Sequence, residues 1–273
     1  MKSRLIVFLC SFVMVFWALS CSDTDSGSSF NGTLAFSSNR YGNPEIFVMN
    51  EDTSNQKKLT NSNGESPSWS PDGNQIAFTS RTDEVLEIYT MNADGTNQQR
   101  LTAFGGSEPS WSPDGNQIAF KSSNNIWLMN ADGSDQQDLR VPGSTPSWSP
   151  GGNQIAFQRS RNIWLMNADG SGQQQLTTDG DCYSPSWNPD GNQIAYYAGD
   201  ELTLEIYVMN ADGSNQQRLT TDDDFYPSWS PDGSQIAFTS RRDGNLEIYI
   251  MNVDGSNQQR LTTAGGYSPA WKP

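Results

Sequence analysis

The sequence predicts an all-β fold: a six-bladed β-propeller with four-stranded antiparallel blades. Three observations carry that expectation. The segment Pro-Ser-Trp-Ser-Pro-Asp-Gly-Asn-Gln-Ile-Ala-Phe stands at 67–78 and again at 109–120, with close variants at 146–157, 185–196 and 227–238. Its Trp residues, at 69, 111, 148, 187, 229 and 271, are spaced 42, 37, 39, 42 and 42 apart, within the range of repeat architectures. A second block of the type Ile-Tyr-x-Met-Asn-Ala-Asp-Gly-Ser-Asn-Gln-Gln-Arg-Leu-Thr follows each first block, and its Met-Asn pairs begin at 49, 91, 129, 166, 209 and 251.

Taken from the N-terminus, the first element is an export signal over residues 1–20. Lys2 and Arg4 precede an almost unbroken apolar run from Leu5 to Trp17. That run is shorter than the ~20 residues a spanning helix needs, and Ala18-Leu19-Ser20 offers small residues before Cys21. Trp17-Ala18-Leu19-Ser20-Cys21 resembles a bacterial lipobox, which implies lipidation of Cys21; an ordinary cleaved signal with a chance Cys is the alternative. Ser22, rather than Asp, follows the Cys, and by the same resemblance the destination is the outer membrane rather than the inner. Residues 21–30 then read as the lipidated Cys and a polar tether, whose r.m.s. reach is roughly 15–18 Å.

Residues 31–273 read as the propeller. Pro-Ser-Trp-Ser is the first strand of each unit, and Pro-Asp-Gly a turn, with Pro presetting φ and Gly supplying φ > 0. Gln-Ile-Ala-Phe is the second strand, Ile-Tyr-Val-Met the third, and Asp-Gly a turn to the fourth, Gln-Gln-Arg-Leu-Thr. The fourth strand is polar, as an exposed edge should be. The chain ends on a first strand, Ser268-Pro269-Ala270-Trp271, and the repeats begin on a second strand, Thr33-Leu34-Ala35-Phe36. One blade is therefore expected from both ends, with 268–272 paired to 33–38. A linear solenoid would need polar end caps, and none is seen.

These motifs resemble the WD40-like repeat called PD40, found in the propeller domain of the TolB family. Ser-Pro-Asp-Gly, Ile-Tyr-x-Met-Asn and Arg-Leu-Thr recur in that order across 31–273. TolB proteins carry an α/β domain ahead of the propeller, whereas about ten residues separate Cys21 from the first strand here. The resemblance therefore implies the module, and a periplasmic envelope setting, rather than the family's whole role.

Composition narrows the chemistry. The chain holds 31 acidic against 16 basic residues, a formal charge of −15, and loss of Lys2 and Arg4 with the signal would take it to −17. Such acidity disfavours nucleic acid and anionic lipid and favours a basic protein or peptide, unless it serves solubility alone. There is no His, which removes Ser-His-Asp and Cys-His catalysis and His-ligated zinc. No Gly-x-Ser-x-Gly elbow occurs. Cys182 stands alone once Cys10 and Cys21 are accounted for, so no intramolecular disulfide is possible, and a structural thiol is expected. The Asp residues of the turns recur in nearly every unit and read as scaffold. No cofactor is expected.

Candidate site residues lie where the units differ. The loops from fourth to first strand and from second to third share one face, and both sets vary. They offer Glu65, Glu108, Tyr183, Phe225, Tyr226 and Tyr267 at the channel mouth, with Arg40, Arg81 and Arg241 around it. Tyr and Arg are common binding anchors, although variable loops are also what a tolerant surface shows. Asp222, Asp223 and Asp224 could hold calcium, but a single short run rarely supplies enough ligands. The expectation is a monomeric, non-catalytic protein- or peptide-binding scaffold that meets membrane only through its lipid. The alternatives are a carboxylate-based lyase or glycosidase using Glu65 or Glu108, and a spacer with no specific ligand.

Overall fold

The computed structural model describes residues 32–273, apart from 62, 179 and 201–202; the signal, Cys21 and the tether lie outside the described residues. The chain forms six four-stranded antiparallel sheets. Blade 1 joins the two ends: its innermost strand is Tyr267–Trp271, followed by Thr33–Ser38, Glu45–Asn50 and Lys57–Lys58. The innermost strands of blades 2–6 are Gly64–Trp69, Ser107–Trp111, Ser144–Trp148, Cys182–Trp187 and Asp224–Trp229. No helix occurs among the described residues.

Ring closure follows the expected pairing, shifted by one residue. Leu34 opposes Trp271 and Ala35 opposes Ala270, and Lys272 N–H donates to Thr33 O at 2.8 Å. Trp69 Nε1 of blade 2 donates to Ala270 O at 3.2 Å, tying the last strand to the first complete blade.

Hydrophobic packing lies between blades, which explains the constancy of the repeat. Ala35 and Ile46 of blade 1 pack with Trp69, Ile76, Phe78 and Met91 of blade 2. Ala119, Ile126 and Leu128 meet Trp148, Ile155, Phe157 and Met166 in the same way. The six Trp residues are 6–8% exposed, and each buried side chain of this size contributes about 1.5–3 kcal/mol.

The fourth strand is much shorter than expected: Lys57–Lys58, Gln99–Arg100, Gln174–Gln175, Gln217–Arg218 and Gln259–Arg260 span two residues each. The Leu-Thr that follows turns inward instead. Leu59, Leu176 and Leu261 are buried, and the hydroxyls of Thr60, Thr102, Thr177, Thr220 and Thr262 accept the N–H of the third-strand Ile in their blades at 2.9–3.0 Å. Three of these hydroxyls also donate to buried carboxylates, Thr60 to Glu45, Thr102 to Glu87 and Thr262 to Glu247, at 2.5–2.6 Å. Blade 3 lacks this Thr, and its outer strand runs on as Gln137–Pro142.

Both turns of the uniform face are side-chain-locked. Asp72 Oδ1 accepts Ser70 Oγ at 2.6 Å and Asn74 N at 3.0 Å, while Asp94 Oδ1 accepts Thr96 N at 2.9 Å. Gly95 sits at φ +90°, and a Cβ there would lie 2.9 Å from Leu59 O of the preceding blade, so two constraints select glycine. On the opposite face three second-to-third connections are two-residue hairpins with positive φ at both positions: Asp83-Glu84, Ser123-Asn124 and Ser160-Arg161. That is the type I′ geometry that matches strand twist.

Candidate functional site

Every inner strand enters the channel through the same distortion. The residue immediately before the Pro of Pro-Ser-Trp (Pro-Ala-Trp in blade 1) has a left-handed backbone in all six blades: Ser66, Glu108, Thr145, Ser184, Tyr226 and Ser268, with φ between +46° and +57°. The pairing register breaks in every inner strand at this point, as between Glu65 and Ser68 or Phe225 and Ser228. Such a bulge re-aims a side chain and accommodates a Pro that has no N–H to give. Non-glycine residues adopt this conformation at a cost of about 1–2 kcal/mol, so the six bulges are a repeated investment at the mouth of the ring.

Hydrogen bonds to the preceding blade hold the bulges in place. Ser66 N donates to Ser37 Oγ (3.1 Å), Glu108 N to Thr79 Oγ1 (3.0 Å) and Ser268 N to Thr239 Oγ1 (3.1 Å). In blade 3 the hydroxyl position is occupied by Lys121, and Thr145 N instead donates to Glu108 Oε2 at 2.7 Å. One carboxylate oxygen of Glu108 is thus committed to the scaffold; a carboxylate has about four acceptor sites, so capacity remains for a ligand.

Inside these bulges the axis opens as a cavity of about 420 Å³. Its wall includes Pro67, Pro109, Pro146, Pro185, Pro227 and Pro269, one from each blade. Glu108, Tyr183, Tyr197 and Tyr226 also line it, and among the described residues on this wall Glu108 carries the only charge. Tyr226 is pushed above the usual phenol range by burial and then by the nearby negative charges of Glu108 and Glu65. Tyr267 is raised by burial and by Glu65, whose Oε1 accepts its hydroxyl at 3.4 Å. Tyr226 and Tyr267 are thus held toward their neutral forms, and the mouth is an acidic, aromatic, proline-rimmed pocket.

The structure distributes the predicted residues unequally. Glu108, Tyr183 and Tyr226 meet in the mouth, whereas Glu65 joins Arg81 in a cleft of about 470 Å³ between blades 1 and 2, and Tyr267 lines neither space but donates its hydroxyl to Glu65. Glu65 and Glu108 are not equivalent: Glu65 stands two residues before its Pro and Glu108 one, so they project from successive positions of the bulge. Phe225 is 6% exposed and lies edge-on to Tyr226 and Tyr197, bracing both rather than facing solvent. Half-buried Arg40 bonds Ser38 Oγ, Gln56 Oε1 and Gly265 O and lies over the Phe47 ring, which makes it a strut of blade 1. The unpredicted Tyr197 replaces the hydroxyl residue of the bulge lock in blade 5, and its ring stacks on Tyr183 with centroids 5.2 Å apart.

The three consecutive aspartates meet arginines rather than one another. Asp223 Oδ2 pairs with Arg241 Nη1 at 2.8 Å, buried Asp224 with Arg242 Nη2 at 2.8 Å, and Asp222 with Arg242 Nη1 at 3.6 Å. Among the described residues no group of three or more His, Cys, Asp or Glu is placed to hold a metal ion. Cys182 is buried, its Sγ 3.3 Å from Gly180 O.

The model of the PD40 family, described as the TolB beta propeller domain, matches residues 28–181 and 125–273. No curated protein matches the chain. Among solved structures the chain is similar to TolB from Acinetobacter baumannii, at 22% identity and TM-score 0.79, over 89% of this chain and 67% of that one. It is similar to a chain of a nidogen/laminin complex, at 12% identity and TM-score 0.74, over 89% and 98% of the two chains. An oligogalacturonate lyase in complex with manganese is a more distant likeness, at 15% identity and TM-score 0.58, over 84% and 73%. These likenesses establish a shared fold.

Proposed function

Given that the chain belongs to the PD40 family of TolB beta propeller domains, we propose that it is a non-catalytic protein- or peptide-binding module whose channel mouth receives a basic group of its partner. The observation that carries this reading is the charge of the mouth. Among the described residues of the cavity wall no cation stands beside Glu108, and Tyr183, Tyr197 and Tyr226 share the wall with it. A Lys or Arg side chain, or an N-terminal amine, would gain a charge-assisted hydrogen bond and cation–π contact with the rings. A mouth fixed by six bulges costs little to order on binding.

The same reading includes export and lipidation at Cys21, with the outer membrane as the destination. Gly32, the first described residue, lies on the uniform face, where its O accepts the N–H of the turn residue Glu51 at 2.8 Å.

Fluorescence anisotropy with a labelled Lys/Arg-rich peptide and an acidic peptide of equal length tests the reading. The basic peptide should bind and the acidic one should not. Glu108→Gln should weaken binding by roughly tenfold or more, the scale of a hydrogen bond to a charged group. Equal affinity of wild type and Glu108→Gln would overturn the mouth as the site.

A further inference from the structure

Phe104 is 93% exposed, more than any other large apolar side chain among the described residues. It stands on the variable face, in the connection from blade 2 to blade 3, and that connection is pinned on both sides of it. Thr102 Oγ1 donates to the buried Glu87 at 2.5 Å and Gly105 N donates to the same carboxylate at 3.3 Å. Gly106 N donates to Leu86 O at 2.7 Å. The ring is therefore presented to solvent by a fixed loop.

The fold does not call for an aromatic here. From blade 6 to blade 1 the chain makes the same connection: Thr262 Oγ1 donates to Glu247 at 2.6 Å, Gly265 N to the same carboxylate at 3.1 Å, and Gly266 N to Leu246 O at 2.8 Å. Gly105 and Gly265 share their left-handed geometry, at φ +98° and +91°. At the place of Phe104 that loop carries Ala264. Two loops of one build thus differ by a ring that packs on nothing in the loop that lacks it. A lone exposed apolar side chain is ordinary on a surface, but this one is rigidly held, dispensable to its loop, and joined to the mouth.

That junction is short. Phe104 and Glu108 lie four residues apart on one segment, so their Cα atoms are at most about 14 Å apart. Gly105, Gly106 and Ser107 stand between them, and no bulky side chain along the segment separates ring from carboxylate. Beside the loop, exposed Val85 and half-buried Leu86, which receives the Gly106 N–H, add apolar surface at the edge of blade 2.

We propose that Phe104 is a second anchor of the peptide site. An extended partner that sets its Lys or Arg against Glu108 lays an apolar side chain on the Phe104 ring and the Val85–Leu86 edge. An extended chain advances about 3.3 Å per residue, so about three to five residues separate the two side chains. Leu or an aromatic residue fits this place, the latter by offset or edge-to-face contact with the ring. The inference rests on the mouth reading above and adds to it an apolar contact at a fixed spacing.

A random heptapeptide display library panned on the full-length protein separates the two. Enriched peptides should carry Lys or Arg with Leu, Phe, Tyr or Trp at a constant separation. Panning on Phe104→Ala should retain the basic preference and lose the apolar one, while Glu108→Gln should lose the basic one. One enriched peptide, synthesised with its apolar residue and with Ser in that place, should differ by at least about tenfold in Kd on the unaltered protein, the scale of one buried large apolar side chain. On Phe104→Ala the same pair should differ by less than about twofold. The Tm of Phe104→Ala should match that of the unaltered protein, because the Ala264 loop is built the same way. Basic enrichment with no apolar position, an apolar preference that survives Phe104→Ala, or a lowered Tm would overturn this inference and leave the mouth reading intact. Absence of basic enrichment would overturn both.

Discussion

Tyr267 and Glu65 are 202 residues apart in sequence, yet the tyrosine hydroxyl donates to Glu65 Oε1 at 3.4 Å. The bond links the inner strand that closes the ring to the inner strand of the first complete blade, so a candidate-site contact and the closure of the fold depend on the same seven C-terminal residues.

Removing residues 267–273 should therefore open blade 1, replacing one cooperative thermal transition by a broader one at lower temperature. Trp271→Ala alone should cost about 3–5 kcal/mol, the usual scale for a buried Trp, read from urea unfolding. A truncated protein that melts like wild type would contradict closure.

Thr145 offers a stabilising substitution. It is β-branched at φ +46°, and its buried hydroxyl has no hydrogen-bond partner among the described residues. Thr145→Gly should gain on the order of 1 kcal/mol, because relief of left-handed strain outweighs the greater chain entropy of glycine when unfolded. Tyr226→Gly, at φ +55° but with a ring packed on Phe225 and Tyr197, should destabilise instead. Chemical denaturation of both variants checks the contrast in sign.

Acid should weaken the protein through its turns. Hydroxyl and N–H donors hold Asp94, Asp132, Asp169, Asp212 and Asp254 below the ordinary carboxylate range. A depressed folded value stabilises above the unfolded value, about 4, and that contribution is lost as pH falls through the folded value. Burial pushes Asp224 and Glu51 the other way, so the cost of their ionised forms is relieved as pH falls, but they are outnumbered by the lowered aspartates. With no His to titrate, Tm should be nearly level over roughly pH 5–8 and drop below about pH 4. A Tm unchanged down to pH 2 would refute the assignment.

Phenol absorbance should show a delayed group of tyrosines. Burial and the hydroxyl bond to Asp243 push Tyr249 up to about 12, and Tyr197, Tyr226 and Tyr267 are also raised. Their stabilising effect is complete below the unfolded value, about 10, and is lost as pH rises through the folded values. Glu65→Gln should bring Tyr267 down while leaving Tyr249 in place. An unchanged titration curve in that variant would break the link between Tyr267 and Glu65.

Cys21→Ser should abolish metabolic palmitate labelling and release the protein from the membrane fraction. Equal labelling of both forms would show that the lipid is not on Cys21.

Purified protein should turn over no glycan above background, with or without Glu65→Gln and Glu108→Gln. A turnover that either substitution removes would establish the lyase or glycosidase alternative.

Blade number and ring closure were legible because every blade repeats the same inter-blade contacts, and the unpaired strands at the two ends complement one another. Fourth-strand length was not legible. It is decided by a Thr hydroxyl meeting the N–H of an Ile fourteen residues earlier, as Thr60 meets Ile46, and that bond depends on tertiary placement. At the site, the variable loops just before each inner strand pointed to Glu108, Tyr183 and Tyr226, which share one cavity wall. The left-handed geometry was hidden, because Ser, Glu, Thr and Tyr do not signal positive φ; the constant Pro one residue later was the available clue. The pairing of Asp222–Asp224 with arginines was equally hidden, since it follows from the register that sets Asp224 opposite Ser240 and so brings Arg242 within reach.

The second strand of blade 1 starts at Thr33 on the uniform face and runs between two neighbours, Tyr267–Trp271 on one side and Glu45–Asn50 on the other. A pull on the chain at Gly32, opposed by a partner held on the variable face, acts along that strand. Its backbone hydrogen bonds to both neighbours are then loaded together, in shear, and the joint cannot be peeled open one bond at a time. The seam where the ring is closed is thereby a mechanical clamp, placed where a tethered propeller would carry tension.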